Sequence, residues 1–267
     1  MNSKVWYVVF GWIVSAHAAD ATCAGGFSNR PNGEVAEWSK APVSKTGRLE
    51  TVSRVRISPS PKMKKSLATL KRDERFARLI KKHGAPALSR GDVSGNGMFR
   101  ALVRSIIYQQ LSGKAASSIH SRFLALFPRK RPTPRQVLGM SESGLRACGL
   151  SLQKIGYMKD LAQKFESRAI KHRSFAKMQS EEIVAHLTQV KGVGEWTVHM
   201  FLIFTMGRLD ILPVGDLGIR KGFQIVYDLK ALPDRKTMER LAADWRAHAS
   251  IASWYLWRAA DEAKTKS

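Results

Sequence analysis

Two short stretches hold the residues whose types and spacing could do chemistry together. Lys191-Gly192-Val193-Gly194 stands between two apolar-periodic segments, one carrying Ile183, Val184, Leu187 and Val190, the other Val198, Phe201, Leu202 and Thr205. Two glycines around one apolar residue permit a tight turn whose backbone N–H groups face outward at the start of the second helix. Such a turn accepts a phosphate through the positive end of the helix dipole, with no side chain blocking the approach. Farther along, Leu212-Pro213-Val214-Gly215-Asp216 places a carboxylate in a Pro/Gly-rich loop just past that helix. A carboxylate there can stabilise positive charge developing beside a held strand, and can orient or deprotonate a water. It can also cap the helix that starts at Leu217, and the two roles are compatible. Asp210 lies nearer the helix exit and competes for the same work.

The elements that must position these groups read as helices throughout. Residues 67–83 carry Leu67, Leu70, Phe76, Leu79 and Ile80 among charges, and Gly84-Ala85-Pro86 stops that helix. Residues 98–112 place Phe99, Leu102, Val103, Ile106 and Ile107 three and four apart, and 115–127 continue with Ile119, Phe123, Leu126 and Phe127. A basic, proline-rich connection at 128–134 belongs on the surface, and shorter helices follow around 134–139, 142–148, 153–171 and 180–190. Few segments alternate with a period of two, so the expected fold is all-α with almost no sheet.

The chain of 267 residues carries 45 Lys+Arg against 21 Asp+Glu, a formal charge of +24 and a pI near 10.5. Such an excess repels itself unless it meets a polyanion, which makes nucleic acid the default partner and an anionic membrane surface the alternative. A hydrophobic share of 44% excludes wholesale disorder. The two cysteines, Cys23 and Cys148, cannot build a disulfide framework, a four-thiolate zinc site or an iron–sulfur cluster, which suits a reducing compartment.

Helix, two-glycine turn, helix, then a Gly/Pro-rich loop ending in Asp216 resembles the helix-hairpin-helix DNA glycosylases, within them the 3-methyladenine glycosylase II group that acts on alkylated bases. The similarity spans residues 98–258 and includes SIIYQQLSGKAASSI at 105–119, GLSLQKIGYMKDLA at 149–162 and ASWYLWRA at 252–259. It implies an all-α domain over 63–267, with two helical subdomains flanking an active-site cleft, the hairpin at 183–207 and the catalytic loop at 208–220. The implied activity is hydrolysis of the N-glycosidic bond of alkylated purines in double-stranded DNA, leaving an abasic site. Oxocarbenium character on the sugar is then the charge that Asp216 stabilises. Bifunctional relatives carry a lysine two positions after the second hairpin glycine, and this chain has Trp196 there, which implies hydrolysis without lyase activity. No cysteine follows Cys148, so no cofactor is expected beyond a monovalent or divalent ion held by hairpin carbonyls, and no metal ligands are assigned. A non-catalytic helix-hairpin-helix DNA-binding module and an oxidised-base glycosylase are the alternative readings.

The same resemblance distributes the remaining site residues. Trp196, His199 and Met200 are candidate walls for a flipped base, with core packing as their competing role. His248 either lines that pocket or caps a helix. Relatives often have an aromatic residue where Met200 stands and a Pro-aromatic-Arg run where this chain has Ala247-His248-Ala249, so the base spectrum stays open. Gln109, Gln110, Leu111 and Ser112 form the loop that enters the duplex, with Gln110 and Leu111 as wedge candidates. Lys191, Gly192, Val193, Gly194 and Thr197 are expected to meet DNA at the hairpin, and Arg220 and Lys221 to meet backbone phosphate. Trp245, Trp254 and Trp257 read chiefly as core. The expected working unit is a monomer in the cytoplasm, associated with the nucleoid.

The N-terminal quarter reads differently. Lys4, the apolar run 5–14 and Ala16-His17-Ala18 mimic a secretory signal peptide, but residues 33–61 lack any sustained period and resemble the conceptual translation of a transfer-RNA gene. Codons for Pro42-Val43 and Thr46-Gly47 can be reverse complements, separated by seven bases as in an anticodon loop, and Val55-Arg56-Ile57 permits the T-arm sequence GTT CGA ATC. The expectation is that residues 1–62 are a disordered extension from a mis-assigned start and that the signal peptide is spurious. Eight basic and four acidic residues precede Met63, so 37 against 17 remain and the polyanion argument is unchanged.

Overall fold

The structure is a computed structural model that describes residues 60–86, 88 and 90–266. The expected extension, up to residue 59, lies outside the described residues. The described residues form helices and no strand. The first described helix, α1, spans Pro61–Leu70, with Ser60 accepting from the Met63 N–H, so it extends across the boundary drawn at Met63.

The helix expected over 67–83 is two helices, because Asp73 interrupts it and caps α2 (Glu74–His83) through a bond from the Arg75 N–H. Its apolar spacing runs straight across the break, so periodicity alone hides it. Gly84 ends α2 at φ 69°, as the Gly84-Ala85-Pro86 signal indicates. Helix α3 (Gly95–Tyr108) stops short of residue 112, followed by α4 (Gly113–Ala125), α5 (Pro134–Gly139) and α6 (Glu142–Ala147). Serines at 94, 112 and 141 supply the N-caps of α3, α4 and α6, each accepting a first-turn N–H. Helix α7 (Leu152–Glu166) ends earlier than residue 171, and α8 (Ser180–Leu187) enters the hairpin. Beyond it, α9 (Glu195–Phe201) loosens into a π turn at Leu202–Met206, which Gly207 ends at φ 67°. Helices α10 (Leu217–Val226), α11 (Arg235–Leu241) and α12 (Ala249–Lys266) complete the described chain.

Two groups of helices meet at the hairpin. In one, α3 buries Phe99, Leu102, Val103, Ile106 and Ile107 against α4 and α7, while α5 packs on α7. In the other, α10 lies along α12, and α1 and α2 return to pack on α12, joining the beginning of the described chain to its end. Helix α9 bridges the groups by touching α3.

The α10–α12 crossing depends on Gly222. A Cβ built there would collide with the backbone carbonyl of Leu256, so the helices approach closer than any other residue at 222 would allow. Just past this contact, Phe223 stacks on Trp245 with ring centroids 5.9 Å apart. Gly222→Ala should lower stability by about 1–3 kcal/mol through overpacking, although alanine in a helix normally adds about 1 kcal/mol over glycine. Chemical denaturation decides the sign, and an unchanged or raised midpoint would contradict the close crossing.

Candidate active site

Asp216 sits at the first residue before α10, only 6% exposed. Its loop is pinned from two sides. Val214 N–H donates to the Leu212 carbonyl at 2.8 Å, and Asp216 N–H to the Pro213 carbonyl at 2.9 Å. Ser250, at the start of α12, donates its N–H to the Leu209 carbonyl at 2.8 Å and accepts from Ile211 N–H on Oγ at 3.1 Å. The carboxylate itself collects four donors. Oδ1 accepts from Gly218 and Ile219 N–H, both at 2.9 Å, and from the Trp257 indole at 3.0 Å. Oδ2 accepts from the Trp196 indole at 2.6 Å. Oδ1 is therefore committed to holding the group in place, and Oδ2 is the oxygen with capacity for one further contact. Of the two roles open at Asp216, the helix cap is present in its bonds from Gly218 and Ile219 N–H.

Trp196 and Met200 lie one turn apart on the same face of α9, the former half-buried and the latter 7% exposed. Trp257 approaches from α12 and stacks on Phe204 of the π turn at 6.1 Å. Two indoles from different helices thus converge on the carboxylate, and Trp257, in the core as expected, has this contact in addition.

His199 faces another way. Its Nε2 is 3.8 Å from Glu195 Oε1, and it lines a cavity of about 290 Å³ with Glu195, Leu212, Arg235 and Arg246. Burial is the main cause that pushes its pKa down. His248 turns to α1 instead, with Nδ1 3.0 Å from Ser66 Oγ. Thr197 is 5% exposed, so its side chain belongs to the interior face of α9 rather than to the outer surface of the hairpin. Asp210, the competitor to Asp216, is occupied elsewhere: Oδ2 accepts from Ser180 Oγ at 2.8 Å and its carbonyl accepts from Arg246.

The hairpin is held by α7 and by the end of α3. Lys191 N–H donates to Asp160 Oδ2 at 2.9 Å, and Asp160 also pairs with Lys164 at 2.6 Å. Gly192 has φ 76° and lies flat against the Tyr157 ring, where a Cβ would overlap the ring carbons. Val193 is buried and donates its N–H to the Val190 carbonyl at 3.0 Å. Lys191, Gly192 and Gly194 are exposed, and Gly194 caps α9 without a side-chain bond, leaving the turn open to an incoming anion. The Gly192 carbonyl accepts from Gln109 Nε2 at 2.8 Å, which ties the hairpin to the 109–112 loop. In that loop Gln110 is exposed with φ 57°, Leu111 is half-buried, and Ser112 caps α4. Arg220 donates to the Pro233 carbonyl at 3.0 Å and so braces a loop, while Lys221 is half-exposed on α10. Tyr157, Asp160 and Lys154 escaped the sequence reading, although all three lie within the stretch 149–162 that carries the family resemblance.

Among the described residues no group of three or more His, Cys, Asp and Glu could hold a metal ion, and no helix is long and apolar enough to cross a membrane.

Residues 103–247 match the model of the HhH-GPD superfamily base excision DNA repair proteins. The chain is 34% identical over 188 residues to DNA-3-methyladenine glycosylase 1 of Schizosaccharomyces pombe, covering 70% of this chain and 82% of that protein. The solved structure of the fission yeast 3-methyladenine DNA glycosylase in complex with abasic DNA superimposes with a TM-score of 0.63 and 33% identity, over 73% of this chain and 95% of the other. A DNA-3-methyladenine glycosidase from Bacillus halodurans gives a TM-score of 0.67 and 32% identity, over 78% and 92%. With the hairpin, the Pro/Gly loop and its carboxylate in these positions, the chain belongs to the HhH-GPD superfamily of base excision DNA repair proteins.

Proposed function

We propose that the protein is a monofunctional DNA glycosylase that hydrolyses the N-glycosidic bond of alkylated purines such as 3-methyladenine in duplex DNA, leaving an abasic site. The observation that carries this reading is the Asp216 carboxylate, buried and oriented by four donors, beside a hairpin whose glycine turn is open at the surface. Its setting is the cytoplasm, at the nucleoid.

A base alkylated at a ring nitrogen is cationic, so its glycosidic bond is weakened before the enzyme acts. The electron-rich indole of Trp196 attracts such a base by cation–π contact. Its N–H, like that of the buried Trp257, points to Asp216, so the ring that favours the base also helps to fix the carboxylate. As the bond breaks, positive charge moves to the sugar, and Asp216 Oδ2 supplies the opposing charge and takes up the attacking water's proton. The hairpin, through the exposed Lys191 side chain and the open backbone at Gly192 and Gly194, fixes the strand by its phosphates, with Val193 anchoring the turn from inside and Lys221 adding charge nearby. Gln110 and Leu111 fill the vacated stack. The chemistry uses no cofactor. A monovalent or divalent ion on the hairpin carbonyls would have to share the Gly192 oxygen with Gln109.

Asp216→Asn should reduce release of methylated bases by about two to three orders of magnitude, the scale seen when one preorganised electrostatic contact to a transition state is removed. Duplex binding by the variant should stay within about threefold, since phosphate contacts supply most of the affinity. Unaltered release in a methylated-DNA assay would refute the catalytic assignment. With Trp196 where a lysine nucleophile would stand, borohydride reduction during turnover should trap no covalent protein–DNA adduct; a trapped band would contradict hydrolysis without lyase chemistry.

A further inference from the structure

The loop that enters the duplex is rooted in an arrangement that the catalytic chemistry does not use. Helix α3 ends at Tyr108, and in its last turn the Ile106 carbonyl accepts from Gln109 N–H and the Tyr108 carbonyl from Leu111 N–H, with Ile107 between them. The Lys154 ammonium, reaching over from α7, donates to the Ile107 carbonyl at 2.7 Å and to the Gln109 carbonyl at 2.8 Å. Lys154 is half-buried, and no carboxylate is paired with it among the described residues. A cation in this place meets the negative end of the α3 dipole and fixes the peptide that joins Gln109 to Gln110. That peptide leads directly into Gln110, held at φ 57°, a left-handed conformation that residues with a side chain rarely adopt. The Gln109 side chain continues the chain of contacts to the Gly192 carbonyl. Lys154 is close in sequence to Tyr157 and Asp160, the residues that seat the hairpin, so α7 holds both hairpin and loop.

We propose that Lys154 is a positioning residue for base extrusion: by bonding the Ile107 and Gln109 carbonyls it holds the Gln110–Leu111 turn at a set distance from the hairpin. A strand gripped at Gly192–Gly194 then meets the wedge in register, and no separate ordering of the loop is needed when the base leaves the stack. This rests on the glycosylase reading. It predicts a defect confined to paired lesions, because a base that is already unstacked needs no wedge.

The test compares the full chain with Lys154→Met and Lys154→Arg on two DNAs, one with the alkylated base paired and one with it in a single-nucleotide bulge. A 2-aminopurine beside the lesion reports unstacking by fluorescence, and thermal melting confirms folding. Lys154→Met should slow release from the paired site about tenfold, as expected for loss of a charge-assisted hydrogen bond, and should reduce the fluorescence rise. Release from the bulge should stay within about twofold of the unsubstituted chain, and Lys154→Arg should recover most of the paired-site rate. Gln109→Glu, at an exposed amide, removes the donor to Gly192 and should shift the paired-to-bulge ratio in the same direction. Equal losses on both DNAs, or an undiminished paired-site rate with Lys154→Met, would overturn the proposal. If the unsubstituted chain released no base from either DNA, the glycosylase reading would fail. The fluorescence difference between it and Lys154→Met would still decide whether Lys154 positions the loop.

Discussion

The Asp216 carboxylate is the point on which three helices agree. It takes two N–H groups from the start of α10, one indole from α9 and one from α12. A buried carboxylate is tolerable only when such bonds replace its hydration, so each donor is a condition on how the helices pack. The Trp257 bond requires α12 to run close to α10, and Gly222 permits that by leaving no Cβ between them and the Leu256 carbonyl. The Trp196 bond requires α9 to leave the hairpin with one particular rotation. Fold and site are here a single constraint, read from the inside of the carboxylate outward.

The hairpin side obeys a second constraint, centred on α7. Tyr157 lies under Gly192, Asp160 accepts from the Lys191 amide, and Lys154 holds the carbonyls at the end of α3. The hairpin turn and the 109–112 loop are distant in sequence, yet Gln109 and Gly192 share a bond. On the proposed function, a rigid spacing between hairpin and loop spares the conformational entropy that ordering either part during binding would cost.

Much of this was legible in the sequence where one face of a helix is buried. The apolar spacing of α3, the two hairpin helices and the Gly84 stop all describe local structure, and the structure has them. The break at Asp73 was not legible, because Leu70, Phe76 and Ile80 keep a helical spacing across it and only the cap chemistry marks it. Placement by rotation was also beyond reach. Thr197 and Trp196 are neighbours in sequence, yet one is interior and the other turns to Asp216. His248 lies near the site in the resemblance but is bonded to Ser66, 182 residues away, because α1 returns to pack beside the last helix. Trp257 illustrates the reverse: a tryptophan in an apolar helix reads as core until the crossing at Gly222 turns its N–H toward the carboxylate.

If Asp216 opposes positive charge on the sugar, binding of abasic-site analogues reports it without any chemistry. A duplex carrying a cationic pyrrolidine at the abasic position should bind about a hundredfold more tightly than one carrying a neutral tetrahydrofuran, within the range by which transition-state mimics outbind ground-state ligands. Equal affinities of the protein for the two duplexes would contradict the account.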